Sequence, residues 1–150
     1  MNKENGLSFI GVFFAIVFII FVVIIGQSVL RKKINNVKTN DIKSNMLLIK
    51  GACKGINDEA IVNKNTENYV GTLLTTPDIT NDQIISNFLS KNIISAEEYG
   101  SYYVLSNDDL KKLNLDIENE ENSYYLINYS SGEVIITAGI NGKYKLSEIE

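Results

Sequence analysis

LSFIGVFFAIVFIIFVVII, residues 7–25, is the stretch that decides the predicted fold. It carries no charged residue, and it follows the short polar leader MNKENG, residues 1–6. At 1.5 Å per residue, a helix of this length spans about 28 Å, close to the roughly 30 Å of a bilayer core. The run is longer than the apolar core of a secretory signal peptide, about 7–15 residues, and no A-x-A-like cleavage site follows it. The sequence therefore predicts a transmembrane helix over residues 7–26 that holds the chain in the plasma membrane.

Composition limits the rest of the chain to one small domain without the usual catalytic groups. The 150 residues contain no histidine and one cysteine, which removes the commonest general base, the commonest metal ligand and any intramolecular disulfide. The formal net charge of −4 argues against nucleic-acid binding. No phosphate-binding loop, dinucleotide motif or calcium-loop pattern occurs. We therefore expect neither an enzyme nor a bound cofactor or metal.

After Gly26 the apolar residues recur at helical spacing. They are separated by steps of three, four and once five residues, and lysines occupy the opposite face. The spacing predicts that the helix continues as an amphipathic spine over residues 27–62, with Gly51 and Gly55 weakening its last turns by about 1 kcal/mol each relative to alanine. The predicted apolar stripe consists of Leu30, Ile34, Val37, Ile42, Met46, Ile49, Cys53, Ile56 and Ala60.

Residues 63–150 are predicted to form a small α+β head. Pro77, the only proline, should break the chain. Thr80, with a glutamine three residues later, has the pattern of a capping box at a helix start. Tyr102–Leu105 has the composition of a strand, and Ser106 is typical of the start of another helix.

A hairpin near the C-terminal end is the clearest β signal. Two runs rich in β-branched and aromatic residues, Tyr124–Tyr129 and Glu133–Thr137, flank the loop Ser130-Ser131-Gly132. Asn141-Gly142 predicts a second tight turn that leads into a further short strand. The predicted fold class is therefore α+β: a long N-terminal helix, first membrane-spanning and then amphipathic, packed on a small antiparallel sheet.

This layout resembles the type IV pilin and pseudopilin family. Gly6 followed by Leu7-Ser8-Phe9-Ile10 stands where the family has its leader-terminal glycine, a hydrophobic residue, threonine or serine, and two further hydrophobic residues. The resemblance implies cleavage between Gly6 and Leu7 by a prepilin peptidase and methylation of the new N-terminus. It also implies that an assembly platform joins the chain to other pilin-like subunits.

The C-terminal half is similar to the end of pseudopilin-like proteins of low-GC Gram-positive bacteria. The similarity rests on Tyr102–Leu105, on Leu113-Asn114-Leu115 and on the run from Tyr124 to Ile135. Together the two resemblances imply a structural subunit of a type IV pilus or type II secretion-like filament, with its head outside the cell. The cluster Arg31-Lys32-Lys33 argues for the opposite orientation by the positive-inside rule, and membrane lipid is its expected partner.

One departure from the family pattern affects assembly. The fifth mature residue, almost always glutamate in the family, is Gly11 here. In the family that carboxylate pairs with the N-terminal ammonium of a neighbouring subunit in an apolar environment, where an unpaired charge costs several kcal/mol. Gly11 has no carboxylate to offer, so the resemblance implies a minor subunit or one at the filament tip.

Three features of the sequence each leave two interpretations open. Gly6 is either a processing site or a glycine in the tail of an uncleaved anchor, and the second case describes a single-pass membrane-anchored binding module. Cys53, on the apolar stripe, is either a small core residue or a reactive thiol. The pairs Tyr102-Tyr103 and Tyr124-Tyr125 either alternate between core and surface along strands or form a carbohydrate-binding platform.

Overall fold

The computed structural model describes the backbone of residues 9–149, and within its long N-terminal helix it describes the side chains of 16–20 and of 38 onward. The chain divides into two units, Met1–Asn40 and Asp41–Glu150. The first unit contains the beginning of helix α1 (Phe9–Asn63), and the second contains the rest of α1 and every other described element. The predicted leader, residues 1–6, lies outside the described residues.

α1 is not an apolar helix over its whole length. From residue 38 onward, most of its exposed side chains are polar or charged. Within the residues that the structure describes, we find no helical segment with both the length and the apolar character that a membrane crossing requires. The predicted transmembrane helix at 7–26 is therefore wrong. The same finding contradicts three predictions that depended on this helix. They are the membrane-spanning half of the fold, the single-pass plasma-membrane location and the membrane anchor of the alternative binding module.

The second unit is α+β and is built on an antiparallel sheet. In the described part of this unit the sheet has five strands, arranged in their order along the chain. The strands are β1 (Thr72–Leu73), β2 (Tyr102–Leu105), β3 (Tyr125–Asn128), β4 (Glu133–Ile140) and β5 (Lys143–Lys145). Short helices connect or follow them: α2 (Pro77–Thr80), α3 (Gln83–Leu89), a 3-10 helix (Ala96–Ser101), α4 (Asn107–Lys112) and α5 (Leu146–Ile149).

Both predicted tight turns are confirmed. β3 and β4 form the hairpin, with Tyr125 opposite Ile136, and Gly132 in the loop has a φ of 68°. The second turn, between β4 and β5, has Asn141 at φ 52° and Gly142 at φ 80°. Two consecutive residues at positive φ give the type of turn that matches the twist of flanking strands, which is why Asn-Gly marks it in the sequence.

The sheet is buried on both faces. Consecutive strand residues point to opposite sides, so Leu126 and Ile127 belong to different cores. One core lies against α1 and includes Leu105, Tyr125, Ile127, Tyr129, Val134 and Ile136. The other lies against α3 and includes Leu74, Ile85, Phe88, Val104, Leu126 and Ile135.

The region around the proline differs from its prediction. Pro77 does not break the chain but occupies the first turn of α2, where a missing N–H costs nothing. The N-cap of α3 is Asp82, not Thr80: its Oδ1 accepts from the N–H of Ile84 at 2.9 Å and of Ile85 at 3.1 Å. The Thr80 hydroxyl instead donates to the Pro77 carbonyl, since Thr80 ends α2.

α4 begins at the predicted residue. Ser106 Oγ accepts from the Asp109 N–H, and Asp109 Oδ2 accepts from the Ser106 N–H and Oγ, which together form a capping box. Lys112 Nζ donates to the other oxygen, Asp109 Oδ1, at 2.7 Å. Asp109 is thereby a buried carboxylate with partners on both oxygens.

These contacts predict a pH-dependent contribution to stability. Burial alone would raise the pKa of Asp109, but hydrogen bonds from Lys112 and Ser106 outweigh it and hold the pKa below the usual aspartate value of about 4. The unfolded chain then binds more protons in this range, so the stabilisation is present above about pH 4 and is lost as the pH falls through the lowered pKa. We expect Asp109→Asn to lower the free energy of unfolding by about 1–2 kcal/mol at pH 7, with the loss shrinking as the pH is lowered stepwise below about 4. Denaturant titrations across this pH series measure the loss, with the exposed Asp116→Asn as control, and a loss that does not change with pH would contradict the prediction.

Candidate functional site

The side of α1 that faces the sheet is fixed by a row of buried residues. Ile42, Met46, Ile49, Cys53 and Ala60 are all buried, at the helical spacing that the sequence predicts. The first four of them pack in the same core as the sheet residues on that side. From residue 42 onward the predicted apolar stripe is confirmed, while Leu30, Ile34 and Val37 lie outside the described side chains.

A cluster of tyrosines ties the end of α1 to the sheet. The Tyr69 ring stacks on the Tyr129 ring at a centroid distance of 4.0 Å, and Tyr69 Oη donates to Asn57 Oδ1 on α1 at 2.6 Å. Tyr129 Oη accepts from the Val70 N–H and donates to the Val70 carbonyl, both at 2.9 Å. The Tyr103 ring packs edge-on against both other rings, so this cluster is a packed junction.

The tyrosine pairs and Cys53 are packing residues of the fold. Tyr102 and Tyr125 are buried, and Tyr103 and Tyr124 are half-buried. The two members of each pair pack against different cores, so the pairs alternate between two cores and not between core and surface as predicted. Burial raises the pKa of the Cys53 thiol to about 11, against the lowering effect of its hydrogen bond with Tyr129. A thiol with this pKa is protonated at neutral pH and is a poor nucleophile. Its interpretation as a small core residue is confirmed.

The opposite side of α1 presents a row of residues that the head does not cover. At 100° per residue, Gly51 lies roughly 160° around the helix from the buried Ile49. All members of this row are exposed. We call it the outer face: Ser44, Leu47, Leu48, Gly51, Gly55, Asp58 and Val62.

The strongly exposed large apolar side chains of the described part of the protein all lie on α1. Leu47 and Leu48 are 45% and 52% exposed, and Ile61 and Val62 are 65% and 80% exposed. The strands, loops and short helices of the head contribute none within the described residues. These side chains form two separate pairs on one helix, and their confinement to that helix points to α1 as the surface for interaction.

A second exposed apolar segment lies in the first unit. Ile16, Val17, Phe18, Ile19 and Ile20 are between 44% and 70% exposed. Five consecutive helical residues cover more than one full turn, so this segment is apolar and uncovered on every side. A helix that is apolar all round is stable only when something covers it.

The two glycines of the outer face are open to solvent and to any neighbour. A Cβ atom built on Gly51 or Gly55 would meet no atom within 4 Å. The head therefore gives no packing reason for glycine at these positions, although glycine costs about 1 kcal/mol relative to alanine inside a helix. Four residues apart on one face, the pair allows the backbone of another helix to approach closely.

Charges border the outer face but contribute little to the fold. Lys54 Nζ lies 3.0 Å from Asp58 Oδ2, four residues along the helix. Both side chains are well exposed, so the pair is worth only about 0.3–0.5 kcal/mol. Lys54 lies next to Gly55 along the helix, and Asp58 is itself a member of the outer face, between Gly55 and Val62.

The described residues contain no group of three or more acidic, cysteine or histidine side chains that could hold a metal ion. Comparisons with protein-family models, with curated proteins and with solved structures find no match.

The residues singled out from the sequence do not form this surface. Gly6 and Leu7, the predicted processing site, lie outside the described residues. Gly11, the predicted assembly residue, lies in the backbone of α1 within the first unit. The outer face itself was not predicted from the sequence. A signal for it is present, because a pair of leucines outside the apolar stripe is followed by two glycines four residues apart.

Proposed function

We propose that this chain is a pilin-like structural subunit that joins a filament by packing α1 against helices of other subunits. The observation that carries the proposal is the confinement of strongly exposed apolar side chains, within the described residues, to α1. Fully covering one large apolar side chain contributes about 1.5–3 kcal/mol. Helix-to-helix packing along α1 would cover several of them at once, which is enough to offset the cost of ordering the subunits.

The sequence around the predicted cleavage site supports the same proposal. Gly6 and the four residues after it resemble the processing motif of the pilin and pseudopilin family. Removal of residues 1–6 would leave Leu7, the first residue of the apolar run 7–25, as the new N-terminus. The outer face with Gly51 and Gly55 offers a further line of contact for a neighbouring helix.

We place the subunit at a minor or tip position because of Gly11. A subunit without the family's glutamate cannot neutralise the N-terminal ammonium of the next copy inside an apolar core. A different subunit that carries the glutamate can still accept the ammonium of this chain. One copy can therefore join a filament built from other subunits, whereas a shaft made only of this chain would bury unpaired charges.

The proposal is tested by producing the chain in cells that contain a prepilin peptidase, an assembly platform and a major pilin. We expect mass spectrometry to find Leu7 as the N-terminus, and sheared filaments to contain the chain. Leu48→Asp, Val62→Asp and the double change Gly51→Leu with Gly55→Leu should reduce the amount in filaments at least tenfold. The isolated variants should keep the thermal unfolding transition of the head, because these positions are exposed.

The matched control is Ala96→Asp, an exposed apolar-to-acidic change outside α1. It should enter filaments as the unmodified chain does. An intact Met1 start, or equal incorporation of the Leu48 variant and the control, would contradict the filament proposal. Long filaments made of the unmodified chain without the major pilin would contradict only the tip position, and Gly11→Glu is the variant expected to form them.

A further inference from the structure

A polar groove of about 340 Å³ lies between α3 and β4 in the second unit. None of its described lining residues belongs to α1, the helix on which the filament proposal rests. Gln83, Asn87 and Lys91 form the wall on the side of α3. The opposite wall is formed by Asn122, Thr137 and Ala138.

The three carboxamides of the groove have free hydrogen-bonding capacity. Gln83, Asn87 and Asn122 make no side-chain hydrogen bond to any other described residue. Other carboxamides of the head are used structurally: Asn119, for example, donates to the Leu105 carbonyl and accepts from the Tyr125 N–H. The groove thus collects amide donors and acceptors that the fold does not use, and no acidic side chain lies among its described lining residues.

Lys91 is the only cation among the described lining residues, and it is held in place without an ion pair. Its Nζ lies 4.9 Å from the centroid of the Tyr144 ring. That ring occupies the space of a missing side chain at Gly139, where a Cβ would lie 2.7 Å from Tyr144 Cε1. It also packs against the ring of Phe88 below the groove. Since the ring only supports the ammonium from one side, the N–H groups of Lys91 are free to bind an anion.

Two of the polar groups have a regular spacing along the helix. Gln83 and Asn87 are one helical turn apart, about 6 Å along the axis of α3, and Lys91 lies two residues beyond the last residue of that helix. An extended peptide repeats its backbone groups every two residues, or about 6.6 Å. A carboxamide can donate to a peptide carbonyl and accept from a peptide N–H, and an ammonium pairs with a carboxylate.

We propose that this groove binds the C-terminal end of an extended peptide. Gln83 and Asn87 hold backbone amide groups of the peptide, and Lys91 holds its terminal carboxylate. The volume accommodates two or three residues. A carbohydrate fits less well, because Phe88, the one aromatic residue among the described lining residues, is buried and offers no open ring face for stacking.

The test is a titration of the purified full-length chain with mixtures of N-acetylated tripeptides, in which the identity of the last residue varies. One mixture carries free C-terminal carboxylates and the other carries C-terminal amides. We expect the free acids to shift the backbone amide resonances of Asn87, Lys91 and Ala138 in a saturable way, at concentrations at least tenfold lower than the amides. Digalacturonate serves as the acidic carbohydrate probe and should shift none of them at the same concentrations.

Variants then assign the roles of the side chains. Lys91→Met should reduce the affinity for the free acids to the affinity for the amides. Asn87→Leu should weaken the binding of both mixtures at least tenfold. The control Lys111→Met, an exposed lysine on α4 outside the groove, should bind as the unmodified chain does. Any one of four results would overturn the proposal. These are the absence of saturable shifts, equal binding of acids and amides, a preference for acids that survives Lys91→Met, and binding of digalacturonate in place of peptides.

Discussion

Replacing Ile49 with aspartate should unfold the head. Ile49 is 0% exposed and lies in the core between α1 and the sheet. The variant would place an unpaired carboxylate in an apolar environment and remove a packed side chain as well, at a combined cost of more than about 4 kcal/mol. Domains of this size have about 5–15 kcal/mol of stability in total. We expect circular dichroism to record no cooperative thermal transition, or one at a much lower temperature.

Leu48→Asp is the matched control, since it makes a similar change one position along the same helix. Leu48 lies on the outer face, so its replacement should change the free energy of unfolding by no more than about 0.5 kcal/mol. A normal melting curve for Ile49→Asp would mean that the sheet does not pack on this side of α1. Unfolding of both variants would mean that the outer face is not exposed in the isolated head.

Replacing Gly71 with alanine should destabilise the head by about 2–4 kcal/mol. Gly71 precedes β1 and has a φ of 107°, a conformation that costs other residues about 1–3 kcal/mol. A Cβ atom there would lie 2.9 Å from Leu105 Cδ2 and 2.9 Å from the Val104 carbonyl oxygen. The carbonyl belongs to β2 and cannot move without disturbing the β1–β2 pairing, so overpacking adds to the conformational cost.

The control for this prediction separates conformation from crowding. Gly142 also has a positive φ, 80°, but a Cβ there would meet no atom within 4 Å. Gly142→Ala should therefore lose only the conformational part, about 1 kcal/mol, the lower end of that range. Urea denaturation measures both variants. Equal losses would show that the close approach of Gly71 to β2 contributes nothing.

The elements that the sequence located correctly are those with a strong local signal. The buried stripe on α1 follows from a repeat of three and four residues, and the β3–β4 hairpin from two β-rich runs around Gly132. The start of α3 was missed because Thr80 and Asp82 are both good N-caps. The choice between them depended on Pro77 starting a helix of its own. β1 has only two residues, which is too short for a pattern, and its pairing with β2 is a tertiary effect.

The functional surface was harder to predict than the core. The apolar character of residues 7–25 indicates that these residues must be covered, but it does not identify what covers them. The inference that a membrane covers them is wrong. On the second half of α1, the buried positions have a periodic signal, whereas Leu47, Leu48 and Val62 are noticed only after the buried side is known. From the sequence alone, Gly51 and Gly55 indicate only a cost to the helix, because their openness to a neighbour is visible only in three dimensions.

The edge strands of the sheet determine how readily the protein forms amyloid. Its two edge strands, β1 and β5, have two and three residues, and β5 carries a lysine at each end. Edges this short, one of them flanked by lysines, are poor templates for adding a strand from another molecule. Crowded copies of the chain should therefore resist amyloid growth, and material that accumulates at high concentration should keep its native infrared amide signature and fail to bind thioflavin.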